Sequence, residues 1–194
     1  MENMLLHPYR DNNRKEDEKF AWDFCNAVQQ QQLAEVVSST DSWEKLLEWY
    51  WADRSINNLF MMEHDCEPTI DMMKQMLACD KPLCTQAYIL YPATTALPNN
   101  VFGHRWVDDK GNINFHREHD TPEFTDYGGF GFIKFGIKAR ETIKNEWVRD
   151  SRMNWWNLDY IVGDWFHKFG LKFHIHYPLM THHHRSQKNA LQGV

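Results

Sequence analysis

The order in which hydrophobic periodicity changes along the chain constrains its fold more than any other feature. Short apolar, β-branched runs alternate with segments whose apolar positions recur every three or four residues. Leu5-Leu6 opens a strand that ends in His7-Pro8-Tyr9-Arg10, since proline cannot donate to a ladder. From Glu16 the spacing of Phe20, Phe24 and Val28, with Ala27 beside them, predicts a helix. Glu35-Val36-Val37-Ser38 reads as a strand. Asp41 then caps a second helix, with Glu44 reciprocating three residues later and Trp43, Leu46, Leu47, Tyr50 and Trp51 forming its apolar stripe. Residues 57–62 predict a buried strand, 69–78 a methionine-rich helix aligned on Ile70, Met73 and Leu77, and 83–91 a further strand. Strands alternating with helices imply an α/β fold: one Rossmann-like, mainly parallel sheet with helices on both faces. Ligands in such sheets sit at the carboxyl ends of the strands.

Residues 92–127 interrupt this rhythm with Pro98, Asn99-Asn100, Asp108-Asp109, Gly111 and Pro122, and read as an irregular insert of the kind that serves function. Periodicity resumes with a strand over 130–135, a helix over 137–146 and an amphipathic helix over 155–169 carrying Leu158, Ile161, Val162, Trp165, Phe166 and Phe169 on one face. Gly170 is placed to stop that helix, residues 171–177 close as a strand, and 185–194 read as a polar tail. With 194 residues, the chain fits one domain, since domains usually run to about 100–200 residues.

Composition removes some function classes. A formal charge of -6 without a Lys/Arg stripe disfavours binding to nucleic acid. No apolar run approaches the roughly 20 residues of a transmembrane segment. Cys25, Cys66, Cys79 and Cys84 form no CxxC pair and no secretory leader is visible, which points to a cytoplasmic setting with free thiols; only Cys79 and Cys84 lie close enough in sequence to invite a disulfide. Nine tryptophans supply burial area, and an exposed minority would suit stacking on sugar rings.

Four groups of residues carry candidate chemistry. Glu63-His64-Asp65 follows an apolar strand, so its carboxylates emerge at the rim where ligands bind. Hard cations such as Mn²⁺ and Mg²⁺ take oxygen ligands of this type, although strand-end charges are commonly just solvated. His174 and His176 alternate with Phe173, Ile175 and Tyr177 on the last strand, and His182, His183 and His184 follow; the five imidazoles are candidate metal ligands, satisfied core histidines being the plain alternative. Asp159, on the flank of the long helix, suits a general base, with Asp150 and Asp164 as rivals. Tyr127-Gly128-Gly129-Phe130-Gly131 permits close backbone approach but lacks the order and context of a dinucleotide fingerprint.

Taken in order, these segments resemble the GT-A glycosyltransferase family, especially the compact inverting enzymes of bacteria, phages and archaeal viruses. The stretch LFMMEHDCEPTIDMMKQMLACDKPLCTQAYILYP is similar to the family's strand, DxD-like motif, helix and next strand; GGFGFIKF resembles its acceptor loop; WWNLDYIVGDWFHKFGLKFHIHYPLMTHHH resembles its closing unit. The resemblance implies a nucleotide-binding half over 1–91 and a closing, acceptor half over 128–184. It implies a nucleotide-sugar donor, an acceptor glycan or glycoprotein, and Mn²⁺ or Mg²⁺ as cofactor. By position, Asp65 would be the direct metal ligand, Glu63 would face the ribose or a metal-bound water, and His182 or His184, with His176 competing, would complete the metal side. Asp159 would be the base; Pro8, Tyr9, Arg10 and Asp41 would lie along the nucleotide. The chain departs from the family in opening its motif with Glu63 and in carrying Leu158-Asp159 where relatives often show Glu-Asp. Its shortness leaves part of the acceptor side to the 92–127 insert or to a partner subunit, possible in a homo-oligomer. Two other readings fit the same residues: a metallohydrolase on the histidines with Asp65, and an inactive GT-A-like binding module.

Overall fold

The structure is a computed structural model that describes residues 3–9, 19–40, 45, 55–91, 101–117, 121–143 and 158–182. Its strands are β1 (Asn3–Pro8), β2 (Glu35–Ser39), β3 (Asn58–Met62), β4 (Cys66–Glu67), β5 (Leu83–Tyr91), β6 (Val101–Val107), β7 (Ile113–Arg117), β8 (Phe124–Thr125), β9 (Phe132–Gly136) and β10 (Phe173–His182). Its helices are α1 (Lys19–Gln30), α2 (Ile70–Ala78), α3 (Ile137–Ile143) and α4 (Leu158–Lys168). The helix expected over 41–51 lies outside the described residues except for Lys45, which is helical.

The α/β class is as the sequence implies. The sheet runs in the order β2-β1-β3-β9-β5-β10-β4, with β6 and β7 extending from β5 and β8 pairing with β10. β1 pairs in parallel with β2 and β3, and β10 pairs in parallel with β5. β9 is antiparallel to both β3 and β5, so five strands share one direction with β9 reversed in their midst, while β4, β6 and β8 also run against the strands they pair with at the margins. Hydrophobic pattern fixes which face a side chain takes but carries no information on strand direction, and the reversal was invisible for that reason.

Alternation across the sheet divides the core in two. Met4, Leu6, Leu59, Met61, Ile133 and Phe135 face one way and meet Ala139 of α3 and Val162 and Phe166 of α4. Leu5, Phe60, Met62 and Phe132 face the other way and meet Ala21, Phe24 and Val28 of α1 and Met72, Met73 and Met76 of α2. Burial on both faces is why these strands read as unbroken apolar runs. Local chemistry sets the helix ends. Thr69 caps α2, accepting a hydrogen bond from the Met72 amide at 3.3 Å. Gly170 stops α4 at φ +69°, with the Leu171 amide bonding back to the Phe166 carbonyl at 2.9 Å.

The stretch read as an irregular insert contains the hairpin β6–β7. Its turn explains the misreading: Asp108 accepts from the amides of Lys110 and Asn112, and Gly111 sits at φ +82°, so turn chemistry dominated the composition. The strands themselves carry His104, Arg105 and His116, which weakens the apolar signal while the backbone still pairs. In the described residues, no helix is long and apolar enough to cross a membrane.

His104 of β6 is fully buried, and neither ring nitrogen has a hydrogen-bond partner among the described residues. Burial, reinforced by His116 and Arg105, lowers its pKa to about 3. A depressed histidine is neutral when folded and protonated when unfolded, so its contribution is complete above about pH 6.5 and is lost as pH falls toward 3. Replacing it by an apolar residue, His104→Leu, is expected to flatten the decline of the urea midpoint between pH 6.5 and pH 4. An unchanged slope would contradict the assignment.

Candidate functional site

At the carboxyl end of β3 the chain turns sharply. The Glu63 amide donates to the Gly131 carbonyl at 3.0 Å, and the Cys66 amide donates to the Glu63 carbonyl at 3.2 Å. The turn leads into β4, which pairs with the end of β10 so that Cys66 lies opposite His182. Candidate ligand atoms of Glu63, Asp65, Cys66 and His182 consequently all lie within 4.8 Å of one another. His182 Nε2 is 3.5 Å from Asp65 Oδ2, and its Nδ1 is 3.2 Å from the Ile89 carbonyl. A carbonyl only accepts, so Nδ1 carries the proton there and Nε2 is left to share with Asp65 either a proton or a cation.

The electrostatics follow from crowding two carboxylates in a partly buried turn. Burial, with the charge of Asp65 adding to it, pushes the Glu63 pKa up to about 8, while His182 and Arg105 pull the other way. Burial also works to raise Asp65, but the hydrogen bond and charge of His182, together with His64, hold that carboxyl below its usual value. His182 moves up in turn: burial opposes its charge, and Asp65 and Glu63 outweigh burial. The Cys66 thiol is driven well above its ordinary range by burial and by the two carboxylates. Sulfur is in any case a soft donor, so the donors suited to a hard cation are the two carboxylates and one imidazole.

Asp159 stands in the first turn of α4, where the helix dipole favours a carboxylate. Its Oδ2 is 2.7 Å from Arg105 Nη2, and its Oδ1 accepts from the Tyr160 amide at 2.9 Å. The Arg105 guanidinium lies 4.0 Å from the Tyr160 ring centre and 5.0 Å from that of Phe115, so aromatic faces as well as the ion pair fix its plane. The negative charge of Asp159 also contributes to raising Glu63, which ties this pair electrostatically to the turn. The rival Asp164 accepts from Tyr127 Oη at 2.8 Å, and Asp150 lies outside the described residues.

Pro8 ends β1, and Tyr9 continues past it with its amide on the Ser39 carbonyl at 3.0 Å. Tyr9 and His7 both meet Trp22 edge-on, at 5.1 and 4.8 Å between ring centres. His7, which the sequence reading passed over, is fully buried with Nδ1 3.3 Å from Ser38 Oγ; burial and then His64 lower its pKa to about 4. Arg10, Asp41 and His184 lie outside the described residues.

The glycine loop has a packing role. A Cβ on Gly129 would fall within 2.3 Å of Tyr88 Oη, and one on Gly131 within 2.8 Å of the same ring. Those glycines let the backbone close over Tyr88, itself buried beneath the turn. His176 is not part of the carboxylate group: it lies with His174, Cys79 and Cys84 near the opposite ends of β5 and β10. Sequence reasoning also missed Arg105, because nothing in a polar stretch marks a side chain that pairs with a carboxylate 54 positions away.

No family model matches the chain, and no curated protein matches it in sequence. Solved structures resemble it in shape. The A197 protein of STIV is 11% identical with a TM-score of 0.52, over 91% of this chain and 82% of that one. A 4-diphosphocytidyl-2C-methyl-D-erythritol synthase from Anaerococcus prevotii is 8% identical at TM-score 0.49, over 90% and 87%. Drosophila β1,4-galactosyltransferase 7, crystallised with manganese, UDP-Gal and xylobiose, is 13% identical at TM-score 0.49, over 97% and 74%. At such identities the likeness to the STIV protein is one of fold, and the α/β architecture is what the two chains share.

Proposed function

We propose that the chain is a metal-dependent glycosyltransferase of the GT-A type that moves a sugar from a nucleotide-sugar donor to an acceptor hydroxyl with inversion. The observation that carries this reading is the meeting of Glu63, Asp65 and His182 at the carboxyl ends of the parallel strands, with Asp159 held by Arg105 on the neighbouring helix. Asp65, His182 and Glu63 would hold the cation, Mn²⁺ or Mg²⁺. When bound, that cation supplies neutralisation of the charge gathering on a leaving nucleoside diphosphate.

The remaining work falls to the chain's own groups. Glu63, pushed up to about 8, is the carboxyl most in need of a positive neighbour, so donor and cation are expected to bind together. Asp159 accepts the acceptor hydroxyl's proton, and the single contact from Arg105 Nη2 keeps its carboxylate aimed while leaving it 20% exposed. Pro8 and Tyr9 at the end of β1 would line the nucleotide, with Trp22 backing the Tyr9 ring. The metallohydrolase reading needs Asp65 and the HxH strand on one ion; His174 and His176 group instead with two cysteines, which disfavours it.

Thermal shift of the purified chain against UDP, GDP, dTDP and CMP, with and without Mn²⁺, tests donor binding. One nucleoside diphosphate at 100 times its Kd should raise Tm by about 5 to 10 °C in the presence of metal, from a stabilisation of about 2.7 kcal/mol. Asp65→Ala should abolish the metal-dependent part. A shift indifferent to Mn²⁺, or equal in Asp65→Ala, would overturn the assignment.

Transfer itself is tested with Asp159→Asn, which keeps the shape and one of the two accepted hydrogen bonds but loses the basicity and the charge facing Arg105. Turnover should fall by about 10² to 10⁴ while the nucleotide-induced Tm shift persists. Native turnover in this variant would exclude Asp159 as the base, and a native chain that does not even hydrolyse a nucleotide sugar would favour the inactive binding module.

A further inference from the structure

The geometry points to a second metal site, a tetrahedral Cys₂His₂ zinc centre formed by Cys79, Cys84, His174 and His176. It lies away from the carboxylate turn. Cys84 and His174 are register partners near the starts of β5 and β10, whereas Glu63, Asp65 and His182 gather where the strands end. Cys79 directly follows α2, and His176 is two residues along the same face from His174. One ligand atom from each of the four residues lies within 4.8 Å of the other three.

Two of the separations match those of a tetrahedron around zinc. With Zn–N bonds of about 2.0–2.1 Å and Zn–S bonds of about 2.3 Å, tetrahedral angles put two nitrogens about 3.3 Å apart and a nitrogen and sulfur about 3.6 Å apart. In the structure His174 Nδ1 and His176 Nε2 are 3.3 Å apart, and Cys79 Sγ is 3.5 Å from His174 Nδ1. Each imidazole thus turns one specific nitrogen to a common centre.

The surroundings match a structural metal. The other nitrogen of His174, Nε2, lies 3.9 Å from the Glu123 carboxylate, on the side from which an outer partner would orient a ligating imidazole. Cys84 is fully buried and His176 is 4% exposed, so two of the four ligands are shut off from water. Lys134 Nζ donates to the carbonyls of Met76 and Cys79 at 2.8 and 2.7 Å, which holds the Cys79 backbone in place. A lysine ammonium beside the cluster is hostile to a hard cation bound by neutral groups. Two thiolates on Zn²⁺ give instead a neutral centre that tolerates it. The four ligands fill the coordination shell, which marks a closed, structural site. Zinc binding takes one proton from each thiol and leaves both imidazoles neutral. The bound ion would tie the end of α2 to the starts of β5 and β10.

The test is a Co²⁺ titration of the reduced, metal-free full-length chain, with no nucleotide present so that it stands apart from the transferase reading. One equivalent of Co²⁺ should give the visible bands of a tetrahedral complex and a near-ultraviolet thiolate charge-transfer band, both bleached by one equivalent of Zn²⁺. Cys79→Ser should lower the charge-transfer intensity by about half and weaken Co²⁺ binding at least about tenfold, and His174→Asn should weaken binding similarly while keeping both thiolate transitions. Cys66→Ser, which alters the only thiol of the carboxylate group, should leave the spectrum intact. The native chain needs no substitution to fail: absence of the bands, or loss of both thiols to a Cys79–Cys84 disulfide that forms in preference to metal uptake, would overturn the proposal. So would a spectrum abolished by Cys66→Ser and untouched by Cys79→Ser.

Discussion

The parallel pairing of β10 with β5 is the constraint on which both clusters depend. His174 pairs with Cys84, His176 with Gln86 and, after a register shift, Met180 with Tyr88. Eight residues of strand at about 3.3 Å each put His182 roughly 25 Å from His174, at the other end of the sheet. A slip of one residue would turn His174 and His176 toward the α3/α4 face and Phe173 toward α2, exchanging the polar and apolar sets. The apolar cost forbids that: Phe173 packs edge-on against Phe166 at 5.8 Å between ring centres, in a core that also takes Phe135. Burial of aromatic rings on one face thereby fixes the imidazoles on the other.

The reversed strand β9 has a comparable effect on the turn. Running against β3, it brings Gly131 alongside Glu63, and the amide-to-carbonyl bond between them holds the acidic turn at the rim. It also carries Lys134 into a buried position where an unpaired ammonium would cost several kcal/mol. Carbonyls at the end of α2 accept from it, and the negative end of the helix dipole offsets part of the desolvation. One strand in the unexpected direction therefore braces the acidic turn through its backbone and the cysteine loop through a side chain.

Much of the scaffold was legible because it is written in local patterns. The strand over 83–91 and the methionine-rich helix aligned on Ile70 and Met73 follow from periodicity, and the stop at Gly170 from the left-handed turn that ends α4. The position of Glu63 and Asp65 at a strand end was legible for the same reason. What escaped notice depends on pairings that sequence does not encode locally. Arg105 reaches Asp159 only because β6 folds back beside α4, and His104 is hidden in a segment whose turn residues suggested a loop. Cys79 and Cys84 invited a disulfide because they are close in sequence. Their nearness to His174 and His176 emerges only from register.

The two clusters differ in the chemistry their donors allow, and that difference underlies the separate roles proposed for them. Around Glu63 and Asp65 the donors are hard oxygens and one imidazole, and Glu63 is raised by burial and by its carboxylate neighbours, an environment that gains from a cation arriving with an anionic ligand. Around Cys79 and Cys84 the donors are soft sulfurs and two imidazoles, four groups that would fill a tetrahedral shell around zinc. A complete shell resists exchange and leaves no open position for a substrate, while the shell of the acidic turn is left incomplete by the chain. Reactivity is therefore expected at the carboxyl ends of the strands and rigidity at their amino ends, and β10 supplies imidazoles to both.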